Sequence, residues 1–245
     1  TMQRRSFIQK SSVSGLALTL LPNLAFPTTT EYTIEELMGK ANIELFGKDI
    51  QLRKEAYEAF ANMKKAAYSD GIDLKVISSY RSFEHQARIW DRKYSNYVDD
   101  EGLEPQDAID KIIEYSTIPG TSRHHWGTDV DLVDGYQKVD GDVLDPEKFV
   151  AGKPYESFRK WMDENSKKYD YYLVYTDDPK RKGFKYEPWH YSYAPLSIPM
   201  LTQFRKKNIL KLLSKEEIMG SDHFTTGLLR NYIQDNILDI NQELL

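Results

Sequence analysis

The chain has 245 residues, a net charge of −5, 40% apolar and 13% aromatic residues, and no cysteine. This length suits one sizeable domain with an extension, and the composition supports a packed core. The lack of cysteine excludes disulfides, thiolate catalysis and cysteine-ligated metal sites. The acidic balance gives no footprint for a nucleic-acid partner.

The segment Gln3-Arg4-Arg5-Ser6-Phe7-Ile8-Gln9-Lys10 sets two arginines ahead of an apolar run from Val13 to Leu21. That run is too short for a bilayer, which takes about 20 apolar residues. It fits the hydrophobic stretch of a bacterial signal peptide, and the arginine pair suits the twin-arginine type. Residues 1–30 are therefore expected to be a signal peptide, and the mature protein to be exported to the periplasm without a stable membrane anchor. Residues 22–33 read as a linker rich in Pro, Thr and Asn.

Residues 49–68 follow helical spacing, with Leu52, Ala56, Phe60, Met63 and Ala67 on one stripe, and Asp70-Gly71 ends the pattern. Residues 74–78 predict a strand. Residues 83–94 predict a helix with Ser82 as its N-cap. A polar loop (95–106) and a helix (105–115) follow, stopped by Pro119-Gly120. Residues 128–133 alternate polar and apolar types and predict a strand that carries Asp129 and Asp131 on one face. After a turn-rich stretch (135–146) come a helix (155–169), a strand (171–175), a charged loop (177–183) and a short aromatic strand holding His190. Two amphipathic helices are expected beyond, one through Met200, Leu201, Phe204, Ile209, Leu212 and Leu213, the other through Leu228 to Leu238. The sum is an α+β fold: a small, mostly antiparallel sheet with helices packed against it, a domain at 31–195 and a C-terminal helical extension at 196–245.

Two short stretches carry chemistry. They are Ser122-Arg123-His124-His125-Trp126-Gly127-Thr128-Asp129-Val130-Asp131 and Glu187-Pro188-Trp189-His190-Tyr191. Two imidazoles and a carboxylate, from His124, His190 and Asp131, suit zinc and leave a fourth position open, the mark of a catalytic site. Glu187, three residues before His190, can move protons to and from water at that position.

The first stretch resembles the S-x-H-x-x-G-x-A-x-D signature of the D-alanyl-D-alanine carboxypeptidases of the VanY type, and the second their E-x-W-H signature. Ser79-Tyr80-Arg81-Ser82-Phe83-Glu84-His85-Gln86 resembles the S-[GS]-Y-R-S-x-x-x-Q segment that precedes them. The three occur in the family's order and span about residues 45–195. The resemblance implies a zinc site in a cleft, with ligands His124, Asp131 and His190, a catalytic glutamate at Glu187 and an electrophile-stabilising arginine at Arg81. It departs at Asp129, where the family commonly has alanine. Asp129 reads most simply as a carboxylate that orients a ligand.

Ser82 and Gln86 have two readings: a helix cap and a surface amide, or hydrogen bonds to a substrate. With Arg81 and Ser122 they are the candidates for gripping a substrate's free carboxylate. The resemblance implies a zinc peptidase acting on peptidoglycan stem peptides and releasing terminal D-alanine. The rivals are a cell-wall endopeptidase and a zinc-containing peptide-binding module that does not cut. A metal-dependent nuclease or phosphatase is disfavoured by the charge and by the lack of a Lys/Arg cluster near the motifs.

Overall fold

Alternation of side chains along two short segments determines the centre of this protein. Strand β1 (Leu74–Ser78) pairs with β2 (Asp129–Asp134), β2 with β4 (His190–Tyr193), and β4 with β3 (Tyr171–Leu173), giving the order β1-β2-β4-β3. All three pairings are antiparallel. The register sets Asp131 opposite His190 and Asp129 opposite Ser192. Segments some 60 residues apart in sequence are thus brought side by side by backbone pairing. The computed structural model describes residues 30–245, so the expected signal peptide lies outside the described residues except for Thr30. Residues 31–245 form a single unit.

One face of the sheet is apolar. Val130, Leu132 and Tyr191 pack with Phe60 and Met63 of helix α2 (Lys54–Ser69) and with Phe158 and Met162 of α5 (Glu156–Asn165). The other face carries the polar residues. A second apolar cluster closes over that half: Phe83, Trp90 and Tyr94 of α3 (Phe83–Ser95), Ile109 and Ile112 of α4 (Pro105–Ile112), Trp126, and Met200, Leu201 and Phe204 of α6 (Ala194–Phe204). A four-residue helix, α1 (Ile34–Leu37), begins at a reciprocal cap between Thr33 and Glu36 and adds Leu37 to this cluster.

Several boundaries differ from the sequence expectation. Helix α2 starts at Lys54, because Leu52 is drawn into a bridge with Phe46 although it is fully buried. The segment after α3 is one π turn (Asn96–Asp100) before it becomes a loop. Strand β3 stops at Leu173. The first of the two expected C-terminal helices breaks into α6 and α7 (Ile209–Leu213), because the Asn208 side chain accepts from the Lys211 backbone N–H and starts a new helix. The second is α8 (Thr226–Tyr232), prolonged by a π turn (Ile233–Ile237).

Residues 196–245 pack against the rest of this unit. The Tyr232 hydroxyl accepts from the Ile118 N–H at 3.0 Å and lies 2.8 Å from Thr121 Oγ1. The Trp90 indole donates to the Met219 carbonyl, and the Asn236 amide to the Ile113 carbonyl. No helix among the described residues is long and apolar enough to cross a membrane.

Candidate metal centre and cleft

The stretch before β2 folds as a tight 3-10 turn, Arg123–Trp126. The Ser122 hydroxyl caps it by accepting from the His124 N–H, and Gly127 ends it at φ +67°. That left-handed backbone suits glycine and turns the chain straight into β2. His124 thereby points from the turn toward Asp131 of β2 and His190 of β4. Their ligand atoms all lie within 4.8 Å of one another, and all three residues are buried.

Hydrogen bonds fix which ring nitrogen faces inward. His124 Nδ1 is 2.8 Å from the Ser79 carbonyl, an acceptor, so Nδ1 carries the proton and Nε2 presents its lone pair. His190 Nε2 is 3.0 Å from Asp129 Oδ2, which turns Nδ1 toward Glu187 Oε2 at 3.0 Å and Asp131 Oδ1 at 3.6 Å. His124 Nε2 and Asp131 Oδ1 are buried without a hydrogen-bond partner. Buried polar atoms are normally satisfied. Two lone-pair donors left open at one point fit a cation between them.

Asp129 is fully buried and saturated. Its Oδ1 accepts from Thr128 Oγ1 (2.7 Å) and Ser192 Oγ (2.6 Å), and its Oδ2 from Arg123 Nε (2.8 Å) and His190. Burial pushes this carboxyl's pKa up, but the charge of Arg123 and the bond from His190 outweigh it and hold the pKa well below the usual range. Arg123 in turn stacks over Trp126, 4.8 Å from the ring centre. Asp129 therefore orients His190, while Asp131, two residues on, faces the gap. For Asp131, burial is likewise outweighed by His124 and His190, which hold its pKa at about 2.

Glu187 sits in the turn that enters β4, its carbonyl accepting from the His190 N–H. Burial raises its pKa, opposed by the bond to His190. Arg81 follows β1 and is anchored by its backbone N–H to the His124 carbonyl. Its Nη2 is 3.5 Å from Asp131 Oδ2, its Nη1 donates to Gln86 Oε1 at 2.9 Å, and its Nε is buried without a partner. Gln86 is buried, and its Nε2 donates to the Thr117 carbonyl. Ser82 caps α3 by accepting from the His85 N–H.

These groups line a cleft of about 780 Å³, whose walls include Arg81, Ser122, His124, Asp131, Glu187 and His190. Ser82 and Gln86 are not part of its lining. The fold adds residues that no motif marked. Tyr175 meets the His190 ring edge-on at 5.1 Å, and Arg92 and Lys93 of α3 bring basic charge to a wall of the cleft. The helical spacing of α3 places Arg92 and Lys93 on the side that also bears His85, which was the available sequence signal. Arg123 and Ser192 had no comparable signal, because their link to Asp129 depends on strand pairing.

Residues 49–196 match the family model described as VanY, D-alanyl-D-alanine carboxypeptidase. A D-alanyl-D-alanine carboxypeptidase of Enterococcus faecalis is 30% identical over 177 residues, covering 71% of this chain and 58% of that protein. The chain thus spans little more than half the length of that relative. Among solved structures, VanYB in complex with D-alanine-D-alanine aligns at 23% identity with a TM-score of 0.52, covering 73% of this chain and 92% of that one. A Zn(II) complex of the vancomycin resistance D,D-pentapeptidase VanY aligns at 24% with a TM-score of 0.50, covering 71% and 90%. Both share the α+β fold. The chain belongs to the VanY family of D-alanyl-D-alanine carboxypeptidases.

Proposed function

We propose that this protein is a zinc-dependent D,D-carboxypeptidase that removes terminal D-alanine from peptidoglycan stem peptides. The observation that carries the reading is the convergence of His124 Nε2, Asp131 and His190 Nδ1 on one point, with His124 Nε2 and Asp131 Oδ1 buried and unpartnered. Two imidazole nitrogens and one carboxylate are a zinc donor set with a vacant fourth position. Zinc held there would act as a Lewis acid and bring the ionisation of water close to neutral pH.

The chain's own residues do the rest. Glu187, buried and with a raised pKa, takes a proton from the attacking water and returns it to the leaving amine. The Arg81 guanidinium, held by Gln86 and by the Arg81 backbone bond to His124, offers its free Nε to the oxygen that gains charge. Gln86 acts through Arg81, and Ser82 by starting the helix that carries Gln86. Ser122 and Arg81 are the cleft-lining candidates for the terminal carboxylate. Asp129 fixes the tautomer of His190. The site sits in a domain at 31–195, buttressed by the extension at 196–245.

Metal analysis and muropeptide mass spectrometry test the proposal together. His190→Ala is expected to lose zinc and activity. Glu187→Gln is expected to keep zinc and lose about 10²–10⁴-fold in turnover. Full zinc occupancy in His190→Ala, or near-normal turnover in Glu187→Gln, overturns the assignment. Amidating the C-terminus of a D-Ala-D-Ala pentapeptide is expected to suppress cleavage; equal cleavage of acid and amide makes the protein an endopeptidase.

A further inference from the structure

The loop from β3 to β4 (174–189) carries Tyr175 at its start and Glu187 near its end, and the Glu187 N–H donates to the Tyr175 carbonyl. Its tip is charged, and residues 177–180 are exposed. Such a loop has little apolar burial to hold it. A proton-moving group, however, has to be held within about 0.5 Å of its working position.

Arg181 supplies the missing restraint. Its Nη1 donates to the Thr176 carbonyl (2.7 Å) and its Nη2 to the Phe184 carbonyl (2.8 Å), so one planar fork ties the two stems of the loop together. Its Nε donates to the Asp239 carbonyl (2.9 Å), and its guanidinium lies over the Tyr175 ring, 5.4 Å from the ring centre. The later chain grips the loop at three more points. The Lys182 N–H donates to Asp239 Oδ2 (2.7 Å). Asn241 donates from its backbone to the Val174 carbonyl and from its side chain to that of Leu173. Gly183 passes so close to Asp235 that a Cβ would stand 1.6 Å from the Asp235 carbonyl oxygen. Asp235, Asp239 and Asn241 all lie beyond residue 196, where the family match ends. A run of rings follows the same route to the centre: Tyr232 meets Phe184 edge-on at 6.2 Å, Phe184 meets Tyr175 at 5.0 Å, and Tyr175 meets His190 at 5.1 Å.

We propose that Arg181 is a positioning residue for the reaction: by clamping both stems of the β3–β4 loop to Asp239, it sets where Glu187 stands relative to the His/Asp/His cluster. Arg181 touches no reacting atom and acts through Tyr175 and Glu187. The proposal rests on the peptidase reading above and makes residues 235–241, outside the family match, the anchor of its proton-moving group.

Arg181→Met keeps an apolar stem over Tyr175 and removes the three bonds to carbonyls. Zinc-loaded full-length protein is assayed on a D-Ala-D-Ala pentapeptide, with kcat counted per folded, zinc-containing molecule. The variant is expected to lose about tenfold or more in kcat, since a displacement of about 1 Å costs on the order of 100-fold. Its KM is expected to stay within about threefold, because Arg81 and Ser122 lie outside this loop. Tyr171→Phe, which loses a buried bond to the Ala56 carbonyl on the opposite face of the sheet, is expected to keep a normal kcat. Amide exchange read by mass spectrometry is expected to quicken about tenfold over 184–190 in Arg181→Met and to stay unchanged over 123–126. Asp239→Ala removes only the Lys182 bond and is expected to show the same pattern at about threefold, which keeps the test open if Arg181→Met does not fold. A normal kcat in Arg181→Met, an equal loss in Tyr171→Phe, or unchanged exchange over 184–190 overturns the proposal. If the unaltered protein cleaves no D-Ala-D-Ala peptide while exchange over 184–190 still responds to Arg181→Met, the peptidase reading fails and the clamp stands.

Discussion

Asp129 accepts four hydrogen bonds beside the His/Asp/His cluster. It faces Arg123 and His190 in a fully buried setting, so its two roles have separable signatures. Asp129→Ala leaves the Arg123 charge buried and unopposed, which costs about 3–5 kcal/mol of stability. It also frees the His190 ring, which is expected to weaken zinc binding by about 10–100-fold. Denaturant unfolding reads the first effect, and competition with a chromophoric chelator reads the second. Unchanged zinc affinity in the variant removes Asp129 from the support of His190.

His125 shows a different use of imidazole. Its Nε2 accepts from the Gly120 N–H at 3.1 Å and its Nδ1 donates to the Arg81 carbonyl at 2.7 Å, so only the neutral ring fits. Burial, joined by the charge of Arg81, lowers its pKa from 6.5 to about 3. The unfolded chain takes up this proton below pH 6.5, while the folded one does so only near 3. The contribution of His125 is thus full above pH 6.5 and is lost on acidification through that window, by about 1.4 kcal/mol per pH unit. Unfolding of chelated protein between pH 6 and 4 is expected to have a slope flatter by about one proton in His125→Gln. Identical slopes mean that His125 is protonated in the folded state.

At the scale of elements, legibility followed how local the determining forces are. Strand β1, strand β2 and helix α3 were readable, because alternation, helical spacing and the Ser82 cap all act within a few residues. The start of α2 was misplaced, since Leu52 supplies an apolar residue at helical spacing but is held by pairing with Phe46. The break before α7 was hidden because Asn208 is polar in an otherwise continuous apolar pattern, and only its capping bond reveals the stop. His124, Asp131 and His190, singled out by type and spacing, do come together in the structure. The commitment of Gln86 to Arg81 and Thr117 was not legible, because it depends on how α3 lies against the segment after α4.

The same scale holds a test of the extension. Tyr232 lies beyond the family match, yet its hydroxyl is the partner of the Ile118 N–H, in the segment that leads into Ser122 and His124. Tyr232→Phe leaves that buried N–H unsatisfied and is expected to cost about 1–3 kcal/mol. Urea unfolding checks this, and an unchanged midpoint would mean that water or a local shift replaces the bond.

At the scale of the whole molecule, residues 1–30 carry the export proposal. Replacing Arg4 and Arg5 with lysine is expected to retain the precursor in the cytoplasm, as twin-arginine signals are read by a receptor. Cell fractionation checks this, and normal periplasmic accumulation of the double variant argues against that route.

The pairing of β2 with β4 has a consequence for how such proteins diversify. Directly opposed residues in antiparallel strands stand about 4.5–5.5 Å apart at their Cα atoms, a spacing set by backbone geometry alone. Asp131 and His190 inherit that spacing from their register, and no loop has to supply it. Loops around the cleft can therefore lengthen, shorten or change charge without altering that pair, whereas His124, Arg81 and Glu187 sit in the turns beside the strands and owe their places to local backbone hydrogen bonds.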